Sequence, residues 1–139
     1  MVTTLRGGSV YYLQHRRLSS AQPHYFVVLN LNPHADKFLV LVVVSSNIDG
    51  IRFRNRNLPP ETAVEISPTE YTDFTMPSIV DCNHWFQVTK QELLQKLQAG
   101  MAAAKSQLSA AILANLRQGM LASPLIETEI KDLLRNAQP

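Results

Sequence analysis

Phe38-Leu39-Val40-Leu41-Val42-Val43-Val44-Ser45-Ser46 is the stretch on which the reading of this chain turns. Seven apolar residues run without a break from Phe38 to Val44, and four of them are valine. A run this short cannot cross a membrane as a helix, which takes about 20 apolar residues. Its β-branched side chains hold their preferred rotamers best on a pleated surface, so the stretch is a strand. Apolar residues on both faces require burial on both faces, which makes it a central or barrel strand. It ends in two hydroxyls, Ser45 and Ser46. A rigid strand that delivers paired hydroxyls to its own end can build a site, and it is equally an ordinary way to end a strand.

Outward from this strand, His24-Tyr25-Phe26-Val27-Val28-Leu29-Asn30 is a second strand. The turn signal Asn32-Pro33 joins the two as an antiparallel hairpin. Gly7-Gly8 leads into a short strand over Ser9 to Leu13, followed by the basic knot His15, Arg16 and Arg17. Beyond the central strand, Ile51 to Asn57 places Arg52, Arg54 and Arg56 at every second residue. An extended backbone there points all three guanidinium groups one way. With Phe53 and asparagines interleaved, the row suits phosphate contact plus base stacking; the rival reading is a charged edge strand that resists aggregation. Thr62 to Ile66 is a further short strand, Ser67 to Pro77 a polar loop, and Ser78 to Val88 a last strand or pair of strands.

The character changes at Thr89. Thr89-Lys90-Gln91-Glu92 spells a capping box that starts a helix with Leu93, Leu94 and Leu97 on one face. Ala104, Leu108, Ile112, Leu116 and Met120 recur every four residues and predict a helix from Met101 to Leu121. Ser123-Pro124 predicts an N-cap and first helical residue for a final helix over Leu125 to Asn136. Strands followed by helices make an α+β class.

The chain has 139 residues, 45% hydrophobic and 17% charged, which suits a globular core. Its formal net charge of +2 gives no bulk signal for nucleic acid, so any such binding rests on local clustering. The single cysteine, Cys82, excludes an intramolecular disulfide and any multi-cysteine metal site. His15, His24, His34 and His84 show no metal-ligand spacing, so no metal and no cofactor are expected. The N-terminus lacks an apolar signal core, and the expectation is a soluble, cytoplasmic protein with no membrane segment.

Three polar groups can carry chemistry. His24 begins the strand whose neighbour ends in Ser45 and Ser46, so hairpin pairing brings an imidazole towards the hydroxyls. An unperturbed histidine pKa of about 6.5 suits proton transfer at neutral pH; a histidine merely bonded to a loop carbonyl is the alternative. Asp81, beside Asn83 and His84, can orient an arginine or a substrate hydroxyl, or simply flank the core residues Trp85 and Phe86.

Several short motifs resemble the MazF/PemK family of toxins. Gly8-Ser9-Val10-Tyr11-Tyr12 followed by Pro23-His24-Tyr25-Phe26-Val27-Val28-Leu29 resembles the family's opening. Val43-Val44-Ser45-Ser46 resembles its strand ending in paired Thr or Ser, and Ile79-Val80-Asp81-Cys82-Asn83 its Asp-containing strand. Val88-Thr89-Lys90-Gln91-Glu92-Leu93 resembles the start of its closing helix. The likeness spans about residues 7–98. It implies an SH3-like β-barrel with a closing helix over 1–98, followed by a helical C-terminal extension, 99–139, packed on the same domain or a partner.

It also implies a homodimeric, metal-independent endoribonuclease that cuts single-stranded RNA by 2′-OH attack and is neutralised by a cognate antitoxin. Carried over, Ser45 and Ser46 hold the phosphate, Asp81 matches the family's aspartate, and His24 stands where the family has an arginine. Arg52, Arg54, Arg56, Arg16 and Arg17 then serve as RNA contacts. The rival is a non-catalytic binding or regulatory module of the same fold that oligomerises through its helical tail. A third reading makes it a structural subunit of a larger assembly.

Overall fold

The structure, a computed structural model, describes residues 5–15 and 22–135. The element order is β1 (Val10–Leu13), β2 (His24–Val28), β3 (Leu39–Ser45), α1 (Ile48–Arg54), a 3-10 turn (Pro60–Thr62), β4 (Ala63–Ile66), β5 (Ser78–Asp81), β6 (Phe86–Val88), α2 (Lys90–Gln98), β7 (Ala102–Ala104), α3 (Ala110–Ala122) and α4 (Thr128–Asp132). No helix among the described residues is long and apolar enough to cross a membrane.

The Phe38–Ser46 run supplies the strand shared by most of the sheet. One edge of β3 pairs antiparallel with β2, Phe26 opposite Val43 and Val28 opposite Leu41. Its other edge is divided: Leu39 to Leu41 pair with β6, and Val44 and Ser45 pair with β5. Both of its faces are covered, which is why the run lacks polar interruption. Val40, Val42 and Val44 join a core with Leu116, Met120 and Ile130 from the C-terminal helices, whereas Leu39 and Leu41 join Phe26, Phe86 and Leu93 of α2. A fully buried side chain of this kind, such as Leu116, stabilises the fold by about 1.5–3 kcal/mol.

Asn30 organises the β2–β3 connection. Its Oδ1 accepts the Val40 N–H at 2.7 Å, and its Nδ2 donates to Asp36 Oδ2 at 2.9 Å and the Phe38 carbonyl at 3.0 Å. Arg117 of α3 closes over the same corner, donating from Nε to the Leu29 carbonyl and from a terminal nitrogen to the Asn30 carbonyl. Burial lowers the Arg117 pKa from its ordinary value, the mark of a guanidinium partly withdrawn from water.

Four expectations are corrected. Among the described residues the sheet has seven strands, in the order β4-β5-β3-β2-β1-β7, with β6 also on β3. Its two ends, β4 and β7, do not pair, so it is an open antiparallel sheet in place of a closed SH3-like barrel. The outer edge of β1 is taken instead by residues expected to be helical. Ala102 to Ala104 pair with Leu13 to Tyr11, because Gly100, at φ +74°, ends α2 in a Schellman motif and turns the chain back. Gly100 N–H donates to the Leu97 carbonyl and Met101 N–H to that of Lys96.

The arginine row is not extended: Ile48–Arg54 is helix, capped by Asn47 whose side chain accepts the Gly50 N–H, with Ile51 buried. Ser123 ends α3 and is no N-cap; the last helix covers only Thr128–Asp132, with Glu127 at the N-cap position making no side-chain cap bond. The capping box at Thr89 and Glu92 forms as read, with both reciprocal bonds present.

Candidate active site

The hairpin geometry settles which end of the sheet carries the polar groups. Leu13 pairs with His24, and continuing the β2–β3 register by two residues sets His24 across from Ser45. On the other side Ser45 pairs with Ile79, so Ser46 falls beside Ser78. His24, Ser45, Ser46 and Ser78 are among the residues that line one open cavity of about 260 Å³, together with Tyr12, Tyr25, Phe74, Thr75 and Met76.

The hydrogen-bonding state of these groups fixes what they can do. Ser45 Oγ accepts the Asn47 N–H at 3.1 Å, which leaves its own proton free to be donated. His24 Nδ1 is buried without a hydrogen-bond partner among the described residues. A buried polar nitrogen in that state costs about 1–3 kcal/mol. Serine and histidine are the residue types that can donate to anionic oxygens and move a proton.

Aromatic residues, Tyr12, Tyr25 and Phe74, also line the cavity, and the sequence reading missed them. Tyr12 and Tyr25 have ring centroids 4.7 Å apart, Tyr25 and Phe74 5.0 Å, and Phe74 is backed by Tyr71 at 4.5 Å. The loop that supplies Phe74 is tied down by Asp73, whose Oδ2 accepts the Ser106 N–H at 2.8 Å and the Tyr71 hydroxyl at 3.3 Å. These bonds, the one from Ser106 foremost, lower the Asp73 pKa. Burial and the facing Asp73 charge raise that of Tyr71, which also donates to the Ser106 carbonyl at 2.6 Å. Tyr71 and Phe74, two large aromatics in a loop otherwise read as polar, were the available signal.

Asp81 lies elsewhere. It does not line the cavity; its carboxylate is 4% exposed, accepting from Asn83 N–H and Nδ2 at 3.0 Å each and from Arg54 at 3.0 Å. Burial alone raises its pKa, but the Asn55 amide facing it, Asn83 and Arg54 outweigh that and hold it below its ordinary value. Asn55 Nδ2 itself is buried and short of proper hydrogen-bond geometry. The exposed His84 Nε2 stands 3.7 Å from Asp81, and Ser123 Oγ donates to Asn83 Oδ1 at 2.6 Å, so the cluster ties α1, β5 and the end of α3 together.

The arginines do not form a row. Arg52 is paired with Glu65 at 2.8 Å through Nε, Arg54 with Asp81, and Arg56 folds back 4.1 Å over the ring of exposed Phe53. Arg16 and Arg17 lie outside the described residues.

No protein-family model and no curated protein sequence matches this chain. Solved structures do match in fold. One is a mycobacterial endoribonuclease in complex with its cognate antitoxin, 11% identical, with a TM-score of 0.55 over 84% of this chain and 91% of that one. At that identity the likeness is one of fold: a mixed α/β architecture on an antiparallel sheet.

Proposed function

We propose that this chain is a toxin endoribonuclease of the MazF/PemK kind, which cuts single-stranded RNA without a metal ion. The observation that carries this reading is the meeting of His24, Ser45 and Ser46 on one cavity. The fold shared with an antitoxin-bound endoribonuclease supports it. In the proposed reaction the 2′-hydroxyl gives its proton to His24 as the O2′–P bond forms and the P–O5′ bond breaks. The imidazolium then returns the proton to the departing O5′, leaving a 2′,3′-cyclic phosphate. Ser45 and Ser46 donate to the phosphate oxygens, whose negative charge grows in the transition state. Asp81 serves at a distance, by fixing β5 against α1. The proposal extends to a homodimer acting in the cytoplasm and held in check by a cognate antitoxin, with residues 99–139 folding as part of the same unit as 1–98.

One observation favours the rival binding module: among the described residues, no lysine or arginine lines the cavity. Histidine cannot replace the fixed, always-charged guanidinium fork. Incubation of a long single-stranded RNA with the protein in the presence of a chelator separates the two. The ribonuclease reading expects discrete cuts ending in cyclic phosphate, lost in His24→Ala and reduced in Ser45→Ala. RNA bound but uncut by the wild type makes the chain a binding module.

A further inference from the structure

β7 is the last strand on its side of the sheet, and its outer edge carries hydrogen-bonding groups that nothing satisfies. Lys105 N–H donates to the Val10 carbonyl at 2.8 Å, and Ala103 stands across from Tyr12. Along an antiparallel strand the residues whose N–H and C=O face a given partner alternate. Ala103 and Lys105 therefore turn inward to β1, and Ala102 and Ala104 turn outward. Among the described residues, no donor or acceptor meets those outward groups. Native edges are blunted by a charge, a proline or a bulge. Ala102-Ala103-Ala104 has no charge and no proline, Ala103 and Ala104 are exposed, and Met101 before them is 60% exposed.

The free groups select their partner. On either side of them the edge is already taken: Gly100 N–H donates to the Leu97 carbonyl, and Ser106 N–H to Asp73 Oδ2 at 2.8 Å. What remains, Ala102 and Ala104, is symmetric about Ala103. One antiparallel pairing of two such edges satisfies it, with Ala102 of each copy opposite Ala104 of the other. Four N–H···O=C bonds form, and a two-fold axis passes beside Ala103. Sliding by one further pair of residues either way sets a free carbonyl against the occupied N–H of Gly100 or Ser106. In the favoured register Met101 falls across from Lys105 of the other copy, whose aliphatic stem covers it, and no like charges meet. Beside Met101 runs a groove lined by Glu92 and Lys96 of α2. The axis runs the two α2 helices in opposite directions, which sets Glu92 of one copy towards Lys96 of the other.

We propose that the outer edge of β7 is the surface on which two copies of this chain join, so that one sheet runs through both. The same patch on each copy meets itself, as a two-fold contact requires. The proposal rests on the homodimer of the ribonuclease reading and gives it an interface. Pro23 lines both the cavity and a second groove beside Met101, so the partner copy sits next to the candidate site.

Sedimentation velocity of the full chain should give the mass of two copies at micromolar concentration. Ala104→Pro removes an outward N–H and leaves the β1 ladder intact, a change that edge strands tolerate. By symmetry it removes two of the four bonds, so the dimer dissociation constant should rise from about fivefold to about a hundredfold. Cross-linking reads the register directly. Facing residues without mutual hydrogen bonds have Cα atoms about 4.5 Å apart, within disulfide reach, so Ala103→Cys should link two copies on mild oxidation. Ala102→Cys alone, with its equivalents a diagonal of about 7–8 Å apart, should not link, yet it should link when mixed with Ala104→Cys. The buried Cys82 does not compete. Circular dichroism confirms that each variant is folded, and if Ala104→Pro is not, the cross-links decide alone. A wild type that sediments as a single copy overturns the proposal. So does a dimer that a folded Ala104→Pro leaves as tight, or one in which Ala103→Cys stays unlinked. RNA cleavage is scored separately: a single copy that cuts overturns this interface and spares the nuclease reading, while a dimer linked through position 103 that cuts nothing does the reverse.

Discussion

Removing the side chain of Asn30 should unlock the corner from which β2 and β3 run to the cavity. Asn30 is fully buried, as is Val40, whose N–H it accepts at 2.7 Å. In Asn30→Ala that N–H loses its partner with no water in reach, at a cost of about 1–3 kcal/mol. Asp36 and the Phe38 carbonyl, which lie nearer the surface, recover hydrogen bonds to solvent, and the small void left behind adds a further fraction. A total of about 1–4 kcal/mol follows, which at an m-value of about 2 kcal/mol/M moves the urea midpoint down by roughly 0.5–2 M. Asn30→Asp sharpens the test. It keeps an acceptor for Val40, but it removes both amide donors and sets a second carboxylate against Asp36, 2.9 Å from the position of Nδ2. At neutral pH it should be the worse variant. Its new carboxyl has a raised folded pKa, so stability returns as pH falls and its proton is taken up. Urea unfolding at pH 7 and pH 5 reads both effects. A loss under 1 kcal/mol in Asn30→Ala at unchanged m-value, or an Asn30→Asp that is the more stable of the two at pH 7, refutes this account of the corner.

Other outcomes follow from single contacts. Gly119 packs so tightly that an added Cβ would sit 2.7 Å from the Glu61 carbonyl and 2.9 Å from Cys82 Sγ; Gly119→Ala should destabilise by about 1–2 kcal/mol in thermal unfolding, overpacking outweighing the helix-propensity gain of about 1 kcal/mol. Cys82 is fully buried and its thiol is pushed up to about 12, by burial first and by the neighbouring Asp81 charge second; a thiol reagent at pH 8 should label it only at the rate of unfolding. Asp81 has a depressed folded pKa, so the stability it contributes is present above the ordinary carboxylate value of about 4 and is lost as pH falls through the folded one. Asp81→Asn should accordingly flatten the acid limb of a stability–pH curve, and an unchanged limb excludes that role. The Arg52–Glu65 pair is about half exposed on both sides, so Arg52→Ala should shift the urea midpoint by the equivalent of less than about 1 kcal/mol.

What the sequence revealed was what local chemistry decides. An unbroken valine run could only be a doubly covered strand, and the hairpin, β4 and the Thr89 cap needed no distant partner to be recognised. The juxtaposition of His24 with Ser45 followed from antiparallel pairing alone. The errors share one cause, which is tertiary competition. Ala102-Ala103-Ala104 has the highest helix propensity in the chain's tail, yet pairing with β1 after the turn at Gly100 prevails. Arg52, Arg54 and Arg56 at period two masked the weaker Asn47 cap and the spacing of Ile48 and Ile51, which favour a helix. The aromatic lining of the cavity was invisible for a different reason. Tyr12, Tyr25 and Phe74 come from three distant segments, and nothing within any one of them announces that the rings will meet.

The bonds from Tyr71 and Asp73 to Ser106 also set a timetable. A ribosome adds about 5–20 residues per second, so the segment from β7 to α4 emerges about two to seven seconds after α2. Until then β1 has a bare outer edge, the Val40–Val42–Val44 face has no helices on it, and the loop bearing Phe74 lacks its bonds to Ser106. The residues of the cavity are made early and assembled last. For a nuclease of the kind proposed, that order keeps the enzyme incomplete until residues 102–132 have been made.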